Sequence, residues 1–244
     1  MIVAIIQARL GSTRFPSKIF ARLSDKPLIW HVVDRLRYSK KIDKIVLATT
    51  DSPIDTDLAK WAENENLAFY RGDENDVLKR FYFAAKKYAA TIIVRITADD
   101  PFKDPNIIDL VIEKLQTEQL DFAYNNNPPS FPEGLDTEVF TFAALENAYQ
   151  HSVDAFEKEH VTQFFYRNKS LFKQSNLSNN IDLSYLRWTI DTKIDLEMVK
   201  RIYDILYKEN EIFLMADILN VLEQNRDISD INKNENRSSM YNKI

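Results

Sequence analysis

Short β-type runs alternate with amphipathic helical stretches along the first half of this chain. The runs rich in β-branched and aromatic residues are residues 2–7, 44–49, 67–70, 91–97 and 120–125. Helical periodicity fits between them, with a capping-box pattern after Ser52 (Pro53 and Asp55) and with Asp104 before Pro105 at another helix start. Strand followed by helix, repeated, predicts an α/β fold built on a mainly parallel sheet.

The alternation weakens after residue 126, where the stretch NNPPSFPEGLDTEVF indicates a small inserted lobe of about residues 126–180. The later elements that we predict are a short strand at 137–140, helices at 141–151 and 157–168, a strand at 186–191 that rejoins the sheet, and helices at 194–207 and 214–224. Residues 1–224 then form one domain. The polar residues 225–244 are expected to form a loosely ordered tail.

Length and composition exclude several classes of protein. The 244 residues are 45% hydrophobic, which is enough for a sizeable core. A net charge of −5 argues against a general nucleic-acid-binding surface. The chain has no cysteine, which excludes disulfides and thiolate metal sites, and it has no apolar run long enough for a membrane span or signal segment. We therefore expect a cytoplasmic protein.

The loop after the first predicted strand carries an unusual amount of positive charge. It lies within IIQARLGSTRFPSK, residues 5–18, which contains Arg9, Arg14 and Lys18. Gly11 is one of only three glycines, whereas average usage would give roughly 17. A positive φ at Gly11 would let backbone amides form an anion nest, and the loop lies where parallel sheets bind ligands. The pattern predicts a triphosphate cradle, although a solvated basic loop is the alternative, and it matches neither a Walker A loop nor a G-x-G-x-x-G fingerprint.

Two aspartates follow predicted strands and could meet at one edge of the sheet. Asp99 follows the strand at 91–97, and Asp191 ends the strand at 186–191. Mg²⁺ commonly takes one or two protein carboxylates together with phosphate oxygens, so this pair predicts a metal site. Each aspartate could instead be a turn or N-cap residue. Asp100 is either a further acidic group or a loop-capping residue.

Four residues are candidates for binding a second substrate. Asp136 and Glu138 lie two apart at a strand entry and therefore on one side of the pleat, although solvent-facing carboxylates are common there. His160 lies in the polar stretch EKEHVTQ, whereas His31 lies in an apolar helical pattern and is predicted to be structural. Arg187 could bind an anionic substrate or pack against the neighbouring Trp188.

Eight segments in order resemble a known family. They are IIQARLGSTRFPSK, KPLIWHVVDRL, VLATTDSPID, YRGDENDVLKRFY, VRITADDPFKDP, PEGLDTEVF, EKEHVTQFFYRN and LRWTIDTKIDLEMV. They resemble the cytidylyltransferases named after spore-coat polysaccharide biosynthesis protein F, relatives of the Kdo and acylneuraminate enzymes. The resemblance implies a nucleotide-diphospho-sugar transferase fold (GT-A/Rossmann-like, a three-layer sandwich), CTP as cosubstrate, Mg²⁺, a sugar or sugar-acid acceptor and a homodimer formed through the inserted lobe.

The resemblance also implies roles for particular residues. The implied catalytic residues are Lys18, Arg9 and Asp99, and the implied nucleotide-binding residues are Ala8, Arg9, Gly11, Ser12, Arg14, Lys18, Arg71 and Thr97. Asp99 and Asp191 would hold the metal, and Asp136, Glu138, His160 and Arg187 would bind the acceptor. The chain departs from relatives at Ala98, Asp100, Lys193 and Ile194. Two rival hypotheses are a nucleotide-sugar-dependent glycosyltransferase, which shares the fold type, and a catalytically inactive nucleotide-binding protein.

Overall fold

The structure is a computed structural model, and it describes residues 1–12, 14–235 and 237. The strands in this part of the chain are β1 (Ile2–Gln7), β2 (Arg22–Leu23), β3 (Lys26–Pro27), β4 (Lys44–Thr50), β5 (Ala68–Gly72), β6 (Ile92–Thr97), β7 (Phe122–Tyr124), β8 (Glu138–Thr141) and β9 (Gln174–Asn176). The α-helices are α1 (Leu28–Arg37), α2 (Thr56–Asn64), α3 (Val77–Lys87), α4 (Pro105–Thr117), α5 (Phe142–His151), α6 (Ala155–His160), α7 (Gln163–Arg167), α8 (Lys193–Leu206), α9 (Met215–Gln224) and α10 (Arg226–Ser229). None of these helices is long and apolar enough to cross a membrane.

The main sheet has the strand order β5-β4-β1-β6-β8-β7-β9. Within the described part of this sheet only β8 runs opposite to the other strands, because it pairs antiparallel with both β6 and β7. β4 and β5 lie on one side of β1, whereas β6 lies on the other side. Open parallel sheets bind ligands at the carboxyl ends of strands where the strand order reverses in this way. The ends of β1 and β6 therefore mark the expected ligand site.

Successive residues of β1 face two separate hydrophobic layers. Ala4 and Ile6 belong to the cluster that includes α1, α4, α8 and α9, whereas Val3 and Ile5 belong to the cluster that includes α3, α5 and α7. All four side chains are fully buried, as the period-2 alternation of a strand requires when helices cover both faces of a sheet. The predicted three-layer α/β architecture is confirmed.

The strand predictions are confirmed within two residues at each end for six strands, β1 and β4 to β8. The predicted strand at 186–191 is wrong, because this stretch makes only an isolated bridge between Arg187 and Glu133. The seventh strand of the sheet is instead β9, which pairs with β7. The helix predicted at 157–168 is divided into α6 and α7. Residues 126–180 thus add β8 and β9 to the main sheet, and the acceptor and dimer roles of this segment stay predictions.

Two of the predicted helix starts have different outcomes. Asp104 caps α4, because its side chain accepts from the amides of Asn106 and Ile107. The capping box after Ser52 is wrong, since Ser52 makes no side-chain capping bond. Asp55, the acidic member of the expected box, is buried and accepts instead from the Leu10 amide at 2.7 Å. Asp55, which the sequence predicted to act only within its own helix start, therefore connects the start of α2 to the loop after β1.

The segment after α9 is more ordered than the sequence predicted. It forms α10, and the side chain of Asn232 is buried and donates to Asp195 Oδ1 and to the carbonyl of Arg187, both at 3.0 Å. Arg237 forms an ion pair with Asp136 at 2.9 Å. The prediction of a loose tail is wrong for these residues, and its remaining part, residues 236 and 238–244, lies outside the described residues.

Candidate active site

The loop after β1 is fixed by hydrogen bonds to the backbone amide and carbonyl of one residue, Leu10. The amide of Leu10 donates to Asp55, and the carbonyl of Leu10 accepts from the amides of Ser12 at 2.9 Å and Ser17 at 3.1 Å. Ser17 has the left-handed conformation, with φ 55°. Gly11 has no positive φ, and a Cβ atom at this position would meet nothing within 4 Å. The prediction that Gly11 forms an anion nest through positive φ is therefore wrong.

The ammonium group of Lys18 lies between the two predicted metal ligands. Lys18 Nζ donates to Asp99 Oδ2 at 2.7 Å, to Asp191 Oδ1 at 2.8 Å and to the carbonyl of Ile190 at 2.8 Å. All three ammonium protons are thus used. Asp191 also pairs with Arg14, at 3.0 Å. The prediction that Asp99 and Asp191 converge at one rim of the sheet is confirmed.

The charges of this cluster stabilise one another. Burial alone would lower the pKa of Lys18, but Asp99 and Asp191 outweigh it and raise the pKa above its usual value. Burial would raise the pKa of Asp191, but Lys18, Arg14 and Arg187 outweigh it and hold the pKa below the usual range. Near neutral pH, the ammonium group is therefore charged and Asp191 is ionised.

A cavity of about 290 Å³ opens beside this cluster. The predicted nucleotide-binding residues that line it are Ala8, Arg9, Ser12, Arg14, Lys18 and Thr97. Gly11 and Arg71 do not line it. Arg71 donates instead to the carbonyls of Thr50, at 2.9 Å, and Ser52, at 2.8 Å, and so supports the end of β4. Arg80, Val77 and Glu159 also line the cavity and were missed by the sequence analysis.

A second cavity, of about 210 Å³, lies against the first. Both are bordered by Arg14, Asp99, His160 and Asp191, and three of the predicted acceptor residues, Asp136, Glu138 and His160, line the second. The fourth, Arg187, does not line it. Two cavities that share a rim of two carboxylates can hold two reactants on either side of that rim.

The acidic residues of the second cavity are extensively paired. Glu138 accepts from the hydroxyls of Thr162 and Tyr166, both at 2.9 Å, and forms an ion pair with Arg95. Asp136 is paired with Arg237, and burial raises its pKa to about 7. These pairings fix the positions of the oxygen atoms. A ligand with several hydroxyl groups could hydrogen-bond to them.

Asp100 contacts Thr97 and Lys103, which are not partners of Asp99 or Asp191 in the described structure. It accepts from Thr97 Oγ1 at 2.5 Å and pairs with the buried Lys103 at 2.9 Å, and its pKa is raised chiefly by burial. The sequence offered two roles for Asp100, a further acidic group or a loop cap. Its ion pair with buried Lys103 is more than a loop cap requires. Asp100 nevertheless lines the second cavity.

Arg187 connects Asp191 to two buried carboxylates. Its guanidinium group is buried and pairs with Glu133 at 2.7 Å, with Asp191 at 3.1 Å and with Asp195 at 3.1 Å. Burial would lower the pKa of Arg187, but these carboxylates raise it above the usual value. Arg187 therefore orients Asp191 and α8. It does not line the second cavity, and its contact with an acceptor stays a prediction.

Gly134 permits a close backbone approach next to this network. Its φ is +106°, and an added Cβ would lie 2.9 Å from the backbone carbon of Trp188. The flanking Glu133 exchanges backbone hydrogen bonds with Leu186 at 2.9 Å and Trp188 at 2.7 Å. Only glycine fits this position without strain, and it brings Glu133 within reach of Arg187.

His160 is presented by a strained turn. Val161 has φ 55° and ψ −61°, and the amide of Thr162 donates across it to the carbonyl of His160 at 2.5 Å. This is a γ-turn with positive φ, which is rare and costly for a β-branched residue. The turn ends α6, and His160 lines both cavities. Strained backbone of this kind is concentrated at functional sites.

A cavity larger than these two lies away from the Lys18 cluster. It measures about 630 Å³ and lies between residues 185–188 and helices α9 and α10. It contains neither the Lys18 cluster nor the residues of the loop after β1. We assign the active site to the two smaller cavities, because the carboxyl ends of β1 and β6, the basic loop and the paired carboxylates meet there.

The donor set at the rim suits a magnesium ion. The described residues contain no group of three or more His, Asp or Glu side chains placed to hold a metal. Asp99 and Asp191 nevertheless already share one cation, the ammonium of Lys18. Two carboxylates completed by phosphate oxygens and water are a common arrangement for Mg²⁺.

The fold and the rim cluster define a nucleotidyltransferase of the nucleotide-diphospho-sugar transferase fold. The structure of a cytidylyltransferase from Leptospira borgpetersenii serovar Hardjo-bovis superimposes with a TM-score of 0.89 and 32% identity, over 97% of this chain and 98% of that chain. The family model for cytidylyltransferases matches residues 3–239. This chain therefore belongs to the cytidylyltransferase family.

Two curated relatives show which cytidylyltransferases this chain is similar to. The spore coat polysaccharide biosynthesis protein SpsF of Bacillus subtilis is 31% identical over 93% of this chain and 95% of its own length. The 3-deoxy-manno-octulosonate cytidylyltransferase of Geobacter sulfurreducens is 32% identical over 47% of this chain and 45% of its own length. The family resemblance seen in the sequence is confirmed.

Proposed function

We propose that this protein transfers CMP from CTP to a hydroxyl group of a sugar or sugar acid and releases pyrophosphate, in the synthesis of a surface polysaccharide. The observation that carries the proposal is the position of Lys18 between Asp99 and Asp191, at the border of two cavities. The relatives that act on 3-deoxy-manno-octulosonate or in spore-coat polysaccharide synthesis support the substrate class.

In the proposed reaction an acceptor oxygen attacks the α-phosphorus of CTP. The new P–O bond forms as the bond to the β-phosphate breaks, and the acceptor proton is lost to water. Catalysis of this kind depends on positioning and on stabilising phosphate charge. Arg9, Arg14 and Lys18 would bind the triphosphate. Mg²⁺, held by Asp99 and Asp191, would neutralise phosphate charge and lower the pKa of the acceptor hydroxyl.

Lys18 must change partners in order to take this role. Its three protons already go to Asp99, Asp191 and the carbonyl of Ile190. Lys18 can therefore contact a phosphate only after it leaves at least one of these oxygens. Release of Lys18 would at the same time remove one cation from Asp99 and from Asp191, while Asp191 would keep its ion pairs with Arg14 and Arg187.

The two rival hypotheses are weaker. A glycosyltransferase uses a nucleoside diphosphate donor and needs no loop with three cations for an expelled pyrophosphate, and the family match is to cytidylyltransferases. An inactive binding protein would not need the carboxylate pair, which is intact. The decisive experiment incubates the protein and Mg²⁺ with each of the four NTPs and a panel of sugars and sugar acids. We expect pyrophosphate release with CTP and a suitable acceptor, whereas transfer from a nucleotide sugar without pyrophosphate would refute the proposal.

An Asp191→Asn variant links this activity to the site. A neutral amide cannot replace a carboxylate beside Mg²⁺ and three phosphates, so we expect turnover to fall on the order of 10²-fold or more. Arg187 keeps Glu133 and Asp195 as partners, so the fold should be retained by circular dichroism. Normal turnover of this variant at limiting Mg²⁺ would exclude Asp191 as a ligand.

Assembly and location are also part of the proposal. A homodimer through residues 126–180 is supported by two large apolar side chains on the surface of that segment, since Val153 is 88% and Leu171 is 61% exposed. Light scattering after gel filtration tests the dimer, and a monomeric mass at micromolar concentration would contradict it. A cytoplasmic location fits an enzyme that uses CTP.

A further inference from the structure

Arg80 is a buried cation at the wall of the nucleotide cavity, and no role has yet been given to it. It lies on α3, one turn after Val77, and both side chains line the cavity together with Arg9. Arg80 is only 3% exposed. The N-cap Asp76, which accepts from the Lys79 amide at 2.8 Å, fixes the first turn of α3 and therefore the direction of the Arg80 side chain.

The guanidinium group of Arg80 is incompletely paired in the described structure. Nη1 donates to the carbonyl of Asp73 at 2.9 Å, but Nε is buried and has no hydrogen-bond partner. No described carboxylate lies within ion-pair distance of Arg80. Burial, together with the charge of Arg9, lowers the pKa of Arg80 to about 10, so Arg80 is still charged at neutral pH.

The other buried arginines are paired differently. Arg187 and Arg95 each form ion pairs with buried carboxylates. Arg35 has no such ion pair, but its Nε donates to the carbonyl of Lys103 at 2.7 Å and its guanidinium lies 4.6 Å from the centre of the Phe213 ring. A buried charge and a buried donor without a partner are both costly. Arg80 carries both costs on the cavity wall, which is the state expected of a group whose partner is a ligand.

We propose that Arg80 is an anion receptor of the nucleotide cavity and binds a phosphate oxygen of the nucleotide. The inference rests on the proposed function, because it takes the cavity to hold a nucleoside triphosphate. Because Nη1 donates to Asp73, Nε and Nη2 are the donors that remain for a ligand, and two neighbouring guanidinium donors can bind phosphate in a bidentate manner. The phosphate chain, and not the uncharged base, would supply the carboxylate-like partner that Arg80 lacks at ion-pair distance.

The test measures the affinities of CTP, cytidine and inorganic tripolyphosphate by calorimetry in the presence of Mg²⁺. We expect Arg80→Gln, which removes the charge, to weaken CTP and tripolyphosphate binding on the order of tenfold to a hundredfold, because a charge-assisted hydrogen bond is lost. Cytidine binding should be unchanged. Arg80→Lys keeps the charge but lacks the paired guanidinium donors, so its affinity for CTP and tripolyphosphate should lie between those of the wild type and Arg80→Gln. The control is Lys79→Met, since Lys79 neighbours Arg80 on α3 but does not line the cavity.

The melting temperature without ligand distinguishes this role from a structural one. Replacing a structural buried arginine lowers stability, whereas Arg80→Gln removes a charge that has no described carboxylate at ion-pair distance, so the unliganded protein should melt at the same or a higher temperature. The upward shift produced by CTP should shrink.

Unchanged affinity for CTP and tripolyphosphate in folded Arg80→Gln would overturn the assignment, as would an equal loss of cytidine binding. If the wild-type protein releases no pyrophosphate from CTP, the proposed function fails. The tripolyphosphate titration still decides the role of Arg80 in that case.

Discussion

At the scale of single residues, Lys18 occupies the position between two carboxylates that a divalent metal would need. Its ammonium nitrogen lies 2.7 Å from Asp99 Oδ2 and 2.8 Å from Asp191 Oδ1. Mg²⁺ binds oxygens at about 2.0–2.1 Å, so a metal between these two oxygens would take the position of the ammonium group. Lys18 is therefore an internal counter-ion of the two carboxylates, and under the proposed function a metal would replace it there while a triphosphate becomes its new partner.

This competition predicts that removal of Lys18 strengthens metal binding in the absence of nucleotide. We expect Lys18→Met to bind Mn²⁺ alone roughly tenfold or more tightly than the wild type, because Asp99 loses its ion pair with Lys18 and Asp191 loses one of its three cationic partners. The measurement is a Mn²⁺ titration followed by electron paramagnetic resonance. Arg9→Met is the control for loss of charge from the same loop, since Arg9 forms its described ion pair with Glu74, at 3.9 Å. Weaker Mn²⁺ binding by Lys18→Met would contradict the exchange.

Asp136 predicts a pH dependence of stability. Burial raises its pKa from 3.8 to about 7 in the folded protein. The folded state therefore holds a proton that the unfolded state has lost, and the stability that this contributes is fully present below about pH 4 and is lost as the pH rises through about 7. Asp136→Asn should consequently be more stable, relative to the wild type, at pH 8 than at pH 5.

Melting temperatures at the two pH values check this expectation. The control is Asp182→Asn, because Asp182 is exposed and hydrogen bonds from Ser184 lower its pKa, so its effect should be the same at pH 5 and pH 8. An identical effect of Asp136→Asn at both pH values would show that Asp136 is ionised throughout.

Site residues that the sequence analysis predicted differ from those that it missed in their sequence context. Arg9, Arg14 and Lys18 stand in a basic loop after a strand, and their positions on the cavity were predictable. Arg80 lies in a helix where an arginine is ordinary, and only its burial beside the cavity distinguishes it. Arg71 was placed near the nucleoside by resemblance, yet its donors go to backbone carbonyls at the end of β4.

At the scale of elements, apolar strands were predictable and polar ones were not. β1, β4 and β6 contain runs of Val and Ile whose burial follows from composition. β9 reads Gln-Ser-Asn, has no apolar pattern and is formed because β7 offers it backbone partners. Residues 186–191 have a strand-like composition, but the stretch is held by the side chains of Arg187 and by the bridge to Glu133. Pairing through side chains cannot be read from propensity.

This network predicts a large cost for loss of Arg187. Arg187→Met leaves Glu133 and Asp195 buried without their cation, and breaking such a network costs about 3–5 kcal/mol. For a chain of this size, each kcal/mol corresponds to roughly 2–4 °C in Tm, so the variant should melt about 6–20 °C below the wild type. Urea and thermal denaturation measure the loss. Arg201→Met, which removes an exposed pair with Asp227, should cost less than about 1 kcal/mol, and an equally small effect at Arg187 would contradict its role.

At the scale of the whole molecule, the site gathers residues that are distant in the sequence. Arg9 and Lys18 follow β1, Asp99 follows β6, His160 ends α6 and Asp191 precedes α8. The sequence predicted this convergence for the strand ends, because the carboxyl ends of parallel strands share one edge of the sheet. It could not predict the return of Asn232 and Arg237 to the back of the site, because a polar segment without periodicity gives no signal of its tertiary contacts.

Because these elements meet only in the folded chain, a nucleotide bound to them should stabilise the whole molecule. At a concentration of CTP 100 times its Kd, mass action adds about 2.7 kcal/mol to the free energy of unfolding, which corresponds to roughly 5–11 °C in Tm for a chain of this size. UTP, ATP and GTP at the same concentration, each with Mg²⁺, should give smaller shifts if the family's use of CTP holds for this chain. Differential scanning calorimetry of the four mixtures measures the order directly. An equal or larger shift with another NTP would mean that this protein selects a different nucleotide, even though the proposed roles of the loop after β1 and of the carboxylate pair would be unaffected.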